Sequence, residues 1–427
     1  MGDLTTAIYN DATAPPTDQA LAAMRLSIVD WMVCGIAGCN EPAPRKLAAM
    51  LRAEAGAADA ACFGGGRMPM RAAALFNGVA SHVLDYDDTH FAHIGHVSVG
   101  VLPAALAIAE VQGSPISALT RAALAGCEGA IRIGLALGRA HYQIGFHQTA
   151  TAGTFGATLA ATLLSSVDPT EHMHALGLAS TRASGMKSQF GTDGKSFNAG
   201  IAASNGVEAA LLAGHGFISD PDGWDGPQGF IATHHGEYGT APAGFLMPEI
   251  SHKYHACCHG LHAALEAFAA IDPAKRGSST RIDVAVHPRW MSVCNLQTPA
   301  TGLEAKFSYK AALALAAAGY DTAALDTYAD RHLRNDAVIA AMQKVQVSAD
   351  PGLGETAATV TVRGPDMVAT ASYDILAPQK TTERGARLRR KLAALIGAVR
   401  AERIWTAVHD DADQPVSVLT ALMTAPA

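Results

Sequence analysis

The sequence has few charged side chains and few aromatic ones. Of its 427 residues, 16% are charged and 6% are aromatic, whereas 49% are apolar. So little charge leaves few residues to cover a large surface, which predicts that a partner subunit buries part of it. Scarce aromatics beside 41 glycines and abundant alanine favour closely packed helices over a sheet-rich fold.

A basic run is also missing. The formal net charge is −7, so we expect no nucleic-acid partner, because neutralising phosphates needs clustered Lys and Arg. The N-terminal stretch MGDLTTAIYNDATAPP has neither a basic start nor an apolar run. The apolar stretches fall short of the roughly 20 residues that span a bilayer. With seven scattered cysteines, these absences predict a reduced, cytoplasmic protein without membrane contact.

Helical periodicity dominates the chain from residue 17 to about 215. After about residue 250 the stretches RIDVAVHPRW, KVQVSAD, ATVTVRG and MVATASYDIL alternate as strands do, with RGPD as a hairpin turn. Beyond about residue 386 the pattern is helical again. We therefore predict a mainly α fold, with an all-helical domain of residues 1–250 plus 387–427 and a smaller α/β domain of residues 251–386.

The stretch LDYDDTHFAHIGHVSVG (84–100) combines three carboxylates with three histidines. Asp85, Asp87 and Asp88 follow an apolar helix and precede a histidine-rich turn, which favours a cleft over an ordinary acidic helix end. VLDYDDT also fits the motif of haloacid-dehalogenase-type phosphatases, whose first Asp follows a buried strand. FNGVASHV reads as helix here, and no later Lys and Gly-Asp pair completes that site. The phosphatase is a remote alternative.

Two further stretches place polar groups beside helix starts. His147 precedes a Thr-rich helix that Thr149 or Thr151 would cap, and a helix N-terminus suits a substrate carboxylate. Lys187 and Lys195 lie in a Gly-rich connection before another helix, where an anion would stabilise a lysine. An ordinary capped helix and solvated lysines are the alternatives.

The stretch KYHACCHGLHAALEA (253–267) is the best metal candidate by composition. It contains Cys257, Cys258 and His262 among its five cysteines and histidines. Adjacent cysteines point in different directions, however, and no second Cys-x-x-Cys pair exists to complete a structural zinc site. Zinc is therefore a remote alternative at this stretch.

Four stretches in order resemble the MmgE/PrpD family: NGVASHVLDYDDTH, GHVSVGVLPAALAIAE, GFHQTATAGTFGA and FGTDGKSFNAG. That family includes 2-methylcitrate dehydratase, cis-aconitate decarboxylase and iminodisuccinate epimerase. The resemblance implies a large all-helical domain with a smaller α/β lid domain inserted before the C-terminal helices. It also implies a homodimer that needs no metal or organic cofactor.

The resemblance further implies site residues. It gives catalytic roles to Asp85, His96, His147 and Lys195. The substrate contacts that we expect are Thr89, Asp88, His90, Thr149, Cys257, Cys258 and His262, the last three closing the pocket from the hinge side. The chain departs from the family pattern at Val97 and His255, where Pro is usual, and at Asn198, where His is frequent.

The implied substrate is a small di- or tricarboxylate that loses a proton or a carboxyl group beside a carboxylate. Lys195 and helix N–H groups would stabilise the developing charge. His96 and His147 would exchange protons, and Asp85 would orient one imidazole or help protonate a leaving hydroxyl. Dehydration, epimerisation and decarboxylation all remain open, and we favour dehydration as the family's founding activity. A non-catalytic helical protein with structural histidines is the other alternative.

Overall fold

The structure is a computed structural model that describes residues 3–165, 167–220 and 222–424. It divides into two compact units, Met1–His252 with Leu388–Ala427, and Lys253–Arg387. The first unit is built from helices and the second contains a four-stranded sheet. The prediction of a mainly α fold with a small α/β part is confirmed.

Over the residues that the structure describes, the helical unit begins with ten α-helices and one short hairpin. Strands β1 (Ala60–Ala61) and β2 (Arg67–Met68) pair antiparallel around a glycine turn. The helices are α1 (Asp3–Ala12), α2 (Asp18–Gly38), α3 (Pro42–Glu54), α4 (Met70–His82), α5 (Ser98–Val111), α6 (Ile116–Ile144), α7 (Gln148–Leu164), α8 (Pro169–Arg182), α9 (Asp193–Gly214) and α10 (Phe230–Thr233).

Small residues let the central helices approach closely. Helices α5 and α7 are buried along almost their whole length, so they form the centre of the unit. Helix α4 meets α9 where Gly78 faces Gly200, and a Cβ on Gly78 would lie only 2.7 Å from the Cα of Gly200. Because no side chain separates these two backbones, the end of α4 and the start of α9 can share one site.

Helix α2 is 21 residues long and apolar enough to cross a membrane by length and composition. The expectation that no stretch reaches that size is therefore wrong for this helix. In the structure, 72% of its most apolar window is buried inside the protein. A buried core helix passes the same test as a membrane span, so this feature is weak evidence for a membrane contact.

The second unit carries the strands that the alternation predicted. Its sheet has the order β4-β3-β5-β6, with β4 parallel to β3 and the other pairs antiparallel. The elements are α11 (His262–Ala270), α12 (Pro273–Gly277), β3 (Arg281–Val286), α13 (Gly302–Ala305), α14 (Tyr309–Ala317), α15 (Asp330–Leu333), α16 (Asp336–Lys344), β4 (Val345–Ala349), β5 (Ala357–Gly364) and β6 (Met367–Asp374).

The two faces of this sheet differ in polarity. Val284 pairs with Val347 on one side and Val360 on the other, and Val284 and Val360 are fully buried. The other face carries cross-strand hydroxyl pairs, such as Thr361 with Thr370 at 2.9 Å. Gly364 pairs with Met367, so β5 and β6 form the predicted hairpin with a two-residue turn.

The chain then returns to the helical unit. Helix α17 (Thr381–Ile396) crosses the boundary between the units, and α18 (Ala398–His409) and α19 (Ser417–Thr424) follow it. Both α18 and α19 pack against α2. The C-terminal helices therefore belong to the same core as the first helices of the chain.

Candidate active site

The turn after α4 holds an unusual backbone conformation at Asp85. Asp85 has φ 51°, in the left-handed region, and its N–H donates to the His82 carbonyl at 2.9 Å. Non-glycine residues in this region concentrate at functional sites, and Asp tolerates it better than most. The turn is thus a fixed platform from which the following carboxylates project.

This local structure also decides the phosphatase alternative. A haloacid-dehalogenase-type nucleophile follows a buried strand, whereas Asp85 follows helix α4, which ends at His82. The motif match lacks its structural context, so the phosphatase interpretation is wrong.

Asp87 is buried between two histidines. Its carboxylate accepts from His82 Nδ1 at 3.0 and 3.1 Å, and its Oδ2 lies 2.7 Å from His96 Nδ1. Burial would raise the pKa of Asp87, but the two imidazoles outweigh burial and hold that pKa well below its ordinary value. Asp87 is therefore a carboxylate that orients both rings.

His96 lies between two carboxylates. Its Nδ1 faces Asp87, and its Nε2 lies 3.2 Å from Asp85 Oδ1. Two carboxylate neighbours favour the imidazolium, because only that form donates from both nitrogens. The His96 backbone N–H donates to Thr149 Oγ1 at 2.9 Å, which fixes the chain at this point. His96 is thus held as a proton donor at the edge of the buried network.

Lys195 reaches the same carboxylate from the other side. It lies in the first turn of α9, whose N-cap Thr192 accepts from the Gly194 N–H at 3.1 Å. Lys195 Nζ is 2.8 Å from Asp85 Oδ1, and the two side chains are 21% and 29% exposed. A partly exposed ion pair of this kind is weak, so an incoming anion can replace one of its members.

His147 is the N-cap residue of α7 and lies near Lys195 and His82. Asn198 Nδ2 is 3.1 Å from His147 Nδ1 and 3.2 Å from the Met186 carbonyl. Because the carbonyl needs a donor, this network places the amide NH₂ toward His147 and assigns the imidazole proton to Nε2. Burial lowers the pKa of His147 well below its ordinary value, so the ring is neutral.

His82 belongs to this network although the sequence analysis did not select it. It is the last residue of α4. Its ring centre lies 4.5 Å from that of His96 and 6.2 Å from that of His147. Burial lowers its pKa to about 4. Within the described part of the chain, its Nε2 has no hydrogen-bond partner. The sequence feature that could have identified His82 is its position three residues before Asp85.

Three predicted substrate contacts shape the turn that carries the site. Asp88 is buried and accepts from Ser98 Oγ at 2.5 Å and from Ser98 N at 3.2 Å, at the start of α5. His90 Nε2 lies 3.3 Å from the Leu246 carbonyl. Thr89 exchanges two backbone hydrogen bonds with Ser251, at 2.9 and 2.8 Å. These contacts are structural, and substrate binding by the three side chains stays a prediction.

Neither predicted threonine caps α7. Thr149 accepts from the His96 N–H instead, and Thr151 Oγ1 lies 3.0 Å from His141 Nε2. His147 occupies the N-cap position without a side-chain capping bond. The capping expectation is wrong because both hydroxyls are used by side chains and backbone of neighbouring segments.

The second unit contains the other predicted contacts. His262 Nε2 lies 3.3 Å from the Cys257 carbonyl, and Cys258 Sγ lies 3.3 Å from Cys294 Sγ. Burial raises the pKa of Cys257 to about 12 and lowers that of His262 well below its ordinary value. These groups are therefore neutral, and their closing of the pocket stays a prediction.

Four side chains in the first unit could in principle ligate a metal. One ligand-type atom from each of His82, Asp85, Asp87 and His96 lies within 4.8 Å of the others. A divalent ion there would stand beside the Lys195 ammonium, which is 2.8 Å from an Asp85 oxygen. It would also compete with the imidazole N–H groups for Asp87. This donor set suits a proton network better than an ion.

Comparison with known proteins gives two family matches and several relatives. The MmgE/PrpD N-terminal domain matches residues 2–242, and the MmgE/PrpD C-terminal domain matches residues 255–403. A cis-aconitate decarboxylase-like protein, oryM, of Aspergillus oryzae (strain ATCC 42149 / RIB 40) is 29% identical over 275 residues, covering 59% of this chain and 57% of the relative.

Two proteins named cis-aconitate decarboxylase are also similar to this chain. The Aspergillus terreus protein is 33% identical over 217 residues, covering 49% of this chain and 44% of that protein. The Homo sapiens protein is 33% identical over 171 residues, covering 39% and 35%. The matches thus span about half the length of these relatives, or less.

Proposed function

Since the chain belongs to the MmgE/PrpD family, we propose that it is a lyase that acts on a small di- or tricarboxylate by proton transfer. The proposed reaction is dehydration of a 2-methylcitrate-like hydroxy acid without a metal or organic cofactor. One observation carries this proposal: His96 and Lys195 converge on Asp85 from two sides, at 3.2 and 2.8 Å. A cation, an acid and a carboxylate are the parts that elimination requires.

Substrate binding begins at Lys195. Its ammonium is partly exposed and is paired with Asp85 in the free protein. A substrate carboxylate takes the place of Asp85 at the ammonium, and the Nε2–H of neutral His147 supplies a further donor. Losing the ammonium, one of its two cationic neighbours, makes Asp85 a stronger base. The same exchange therefore binds the acid and activates the enzyme.

Elimination then uses Asp85 and His96 as base and acid. Asp85 removes the proton from the carbon beside the bound carboxylate, and the electron pair of that C–H bond forms the new double bond. The C–O bond breaks, and the His96 imidazolium gives its proton to the departing hydroxyl, which leaves as water. Lys195 and His147 stabilise the extra negative charge on the carboxylate meanwhile. Asp87 keeps the His96 ring aligned.

Decarboxylation is a second candidate with its own support. Relatives of this chain carry the name cis-aconitate decarboxylase. Loss of carbon dioxide leaves a carbanion that needs a proton donor, and the free site offers two, His96 and His147. The same residues serve both reactions. In dehydration a proton leaves carbon, whereas in decarboxylation a proton is delivered to carbon.

Proton NMR in deuterated water tests the proposal. The protein is incubated with methylcitrate, citrate, cis-aconitate, malate, tartrate and iminodisuccinate. Loss of water from a hydroxy acid supports dehydration, and release of carbon dioxide supports the second candidate. Exchange at the α-carbon alone indicates epimerisation. If no acid reacts or exchanges, the lyase proposal is wrong.

Two lysines of one connection provide a matched pair of variants. Lys195→Met removes the ammonium at Asp85 and should abolish turnover. Lys187→Met removes an ammonium that donates to the Tyr142 carbonyl at 2.9 Å and should leave turnover near that of the wild type. Equal loss in both variants would show that Lys195 has no special role.

We also propose a homodimer in the cytoplasm. The low share of charged residues supports the dimer, together with exposed apolar side chains that border the site, Met186, Phe190 and Phe197. Light scattering on the purified protein tests this, and a monomer at micromolar concentration would contradict it.

A further inference from the structure

A buried ion pair lies behind the turn that carries the catalytic carboxylates. Lys391 of α17 and Asp30 of α2 have side chains only 1% exposed, and Lys391 Nζ is 2.5 Å from Asp30 Oδ1. The same ammonium donates to the Tyr86 carbonyl at 2.6 Å and lies 4.0 Å from the Tyr86 ring centre. Tyr86 stands between Asp85 and Asp87, so this pair contacts the backbone of the site.

Stability alone does not explain such a pair. Taking two charges out of water is costly, and replacing a buried ion pair by apolar side chains is often neutral or stabilising. An apolar pair, however, could not donate to the Tyr86 carbonyl. The contact with this carbonyl is therefore the property that distinguishes Lys391 from an apolar residue of similar size.

The charges around the turn keep Lys391 protonated. Burial would lower the pKa of Lys391, but its acidic neighbours, foremost the Asp30 carboxylate, outweigh burial, and the pKa is raised. Burial raises the pKa of Asp30 to about 7 even though Lys391 is its neighbour. Lys391 thus presents a permanent donor to the turn, and Asp30 fixes its direction.

The Tyr86 peptide determines where two carboxylates point. Asp85, with φ 51°, turns toward Lys195 and His96, whereas Asp87 turns toward His82 and His96. Rotation of the intervening peptide would move both groups at once. A donor that holds the Tyr86 carbonyl prevents that rotation.

We propose that Lys391, held in place by Asp30, is a positioning residue that sets the Asp85–Asp87 turn for proton transfer. This inference rests on the proposed function of the site. It does not require that the substrate be known, because the geometry of the turn can be observed through the histidines.

Two variants separate positioning from folding. Asp30→Asn keeps an oxygen for Lys391 and leaves the contact with Tyr86, so its turnover should stay within roughly tenfold of the wild type. The double variant Asp30→Asn with Lys391→Met removes both charges together and also removes the donor. We expect it to melt near the temperature of Asp30→Asn but to turn over about 100-fold or more slowly, the effect of a small misplacement of catalytic groups.

The double variant and the wild type have the same net charge at this pair, so a comparison of their ring-proton NMR titrations for His82 and His96 gives a readout that a purely structural pair would not change. Shifted titration curves of His82 or His96 in the folded double variant support the proposal. Turnover equal to that of Asp30→Asn, together with titrations equal to those of the wild type, overturns it. If the wild type turns over no acid, the proposed function fails, and the titrations alone still decide whether Lys391 positions the turn.

A second variant covers the case in which the double variant does not fold. Lys391→Arg keeps the charge and the donors. If this variant keeps both the turnover and the histidine titrations of the wild type, or if both change together, the result supports Lys391 as a positioning residue. Turnover lost with unchanged titrations overturns it.

Discussion

Replacement of Asp87 by Asn is the most direct test of the buried network. The carboxylate accepts from His82 Nδ1 at 3.0 Å and lies 2.7 Å from His96 Nδ1. An Asn at this position keeps one acceptor oxygen but turns an NH₂ group toward the second imidazole N–H. One ring must then present an unprotonated Nδ1 to this NH₂ group: His82 would change its tautomer, or the His96 imidazolium would lose its Nδ1 proton, and neither change leaves His96 oriented as before.

The magnitude follows from the lost bonds. Hydrogen bonds to a charged group each contribute about 1.5–3 kcal/mol, and the amide recovers about 1 kcal/mol from one neutral bond. The variant should therefore lose about 2–5 kcal/mol of unfolding free energy. Turnover should fall by on the order of 100-fold or more, because the orientation of the acid is lost. Urea unfolding at neutral pH and the NMR assay measure the two effects.

Asp283→Asn is the matched control. Asp283 is the partner of Arg281 and Arg363 on the outer face of the sheet, at 2.7 and 2.8 Å. A partly exposed network of this kind should contribute at most about 1 kcal/mol. Equal loss of stability in the two variants, or wild-type turnover in the Asp87 variant, would refute the assignment of Asp87 as the orienting carboxylate.

Three further predictions concern acid, metal and oxidation. Burial lowers the pKa of His82 and His90 to about 4 and that of His93 to about 3. Each histidine binds a proton more readily in the unfolded state. The unfolding free energy is therefore greatest above about pH 6.5 and falls by about 3 kcal/mol per histidine towards pH 4. Urea titrations at several pH values would reveal this fall. Dialysis against a chelator should leave turnover unchanged, and a loss restored by zinc or magnesium would contradict the proton-network interpretation. Peroxide should join Cys258 and Cys294, whose sulfurs lie 3.3 Å apart, in a disulfide that peptide mapping detects and Cys258→Ser abolishes.

Local sequence signals predicted most of the fold. Alternating residues located the strands of the second unit, because a strand buried on one face must repeat with a period of two. The hairpin of β5 and β6 followed from RGPD. The length and apolar character of α2 were underestimated, since its few polar residues, such as Asp30, interrupt the run although they are paired in the core.

The site was less accessible to such signals. The motif resemblance singled out Asp85, His96 and Lys195, which the structure brings together. His82 and Lys391 were missed for different reasons. His82 ends a helix and precedes the acidic motif, whereas Lys391 reaches the site across some 300 residues of sequence. The helical pattern beyond residue 386 predicted that the chain returns to its first domain, but no local pattern identifies the residues that Lys391 contacts there.

Asn198 shows how a single departure from the family pattern bears on chemistry. Its amide is fixed by the Met186 carbonyl and therefore donates to His147 Nδ1. That contact keeps the imidazole proton on Nε2, so in the proposed reaction His147 is a neutral donor and Asp85 is the base. A histidine at the position of Asn198 could change its own tautomer and would leave the proton of His147 free to move. Asn in place of His at position 198 thus restricts His147 to the role of donor. This restriction favours reactions that need one base and several donors.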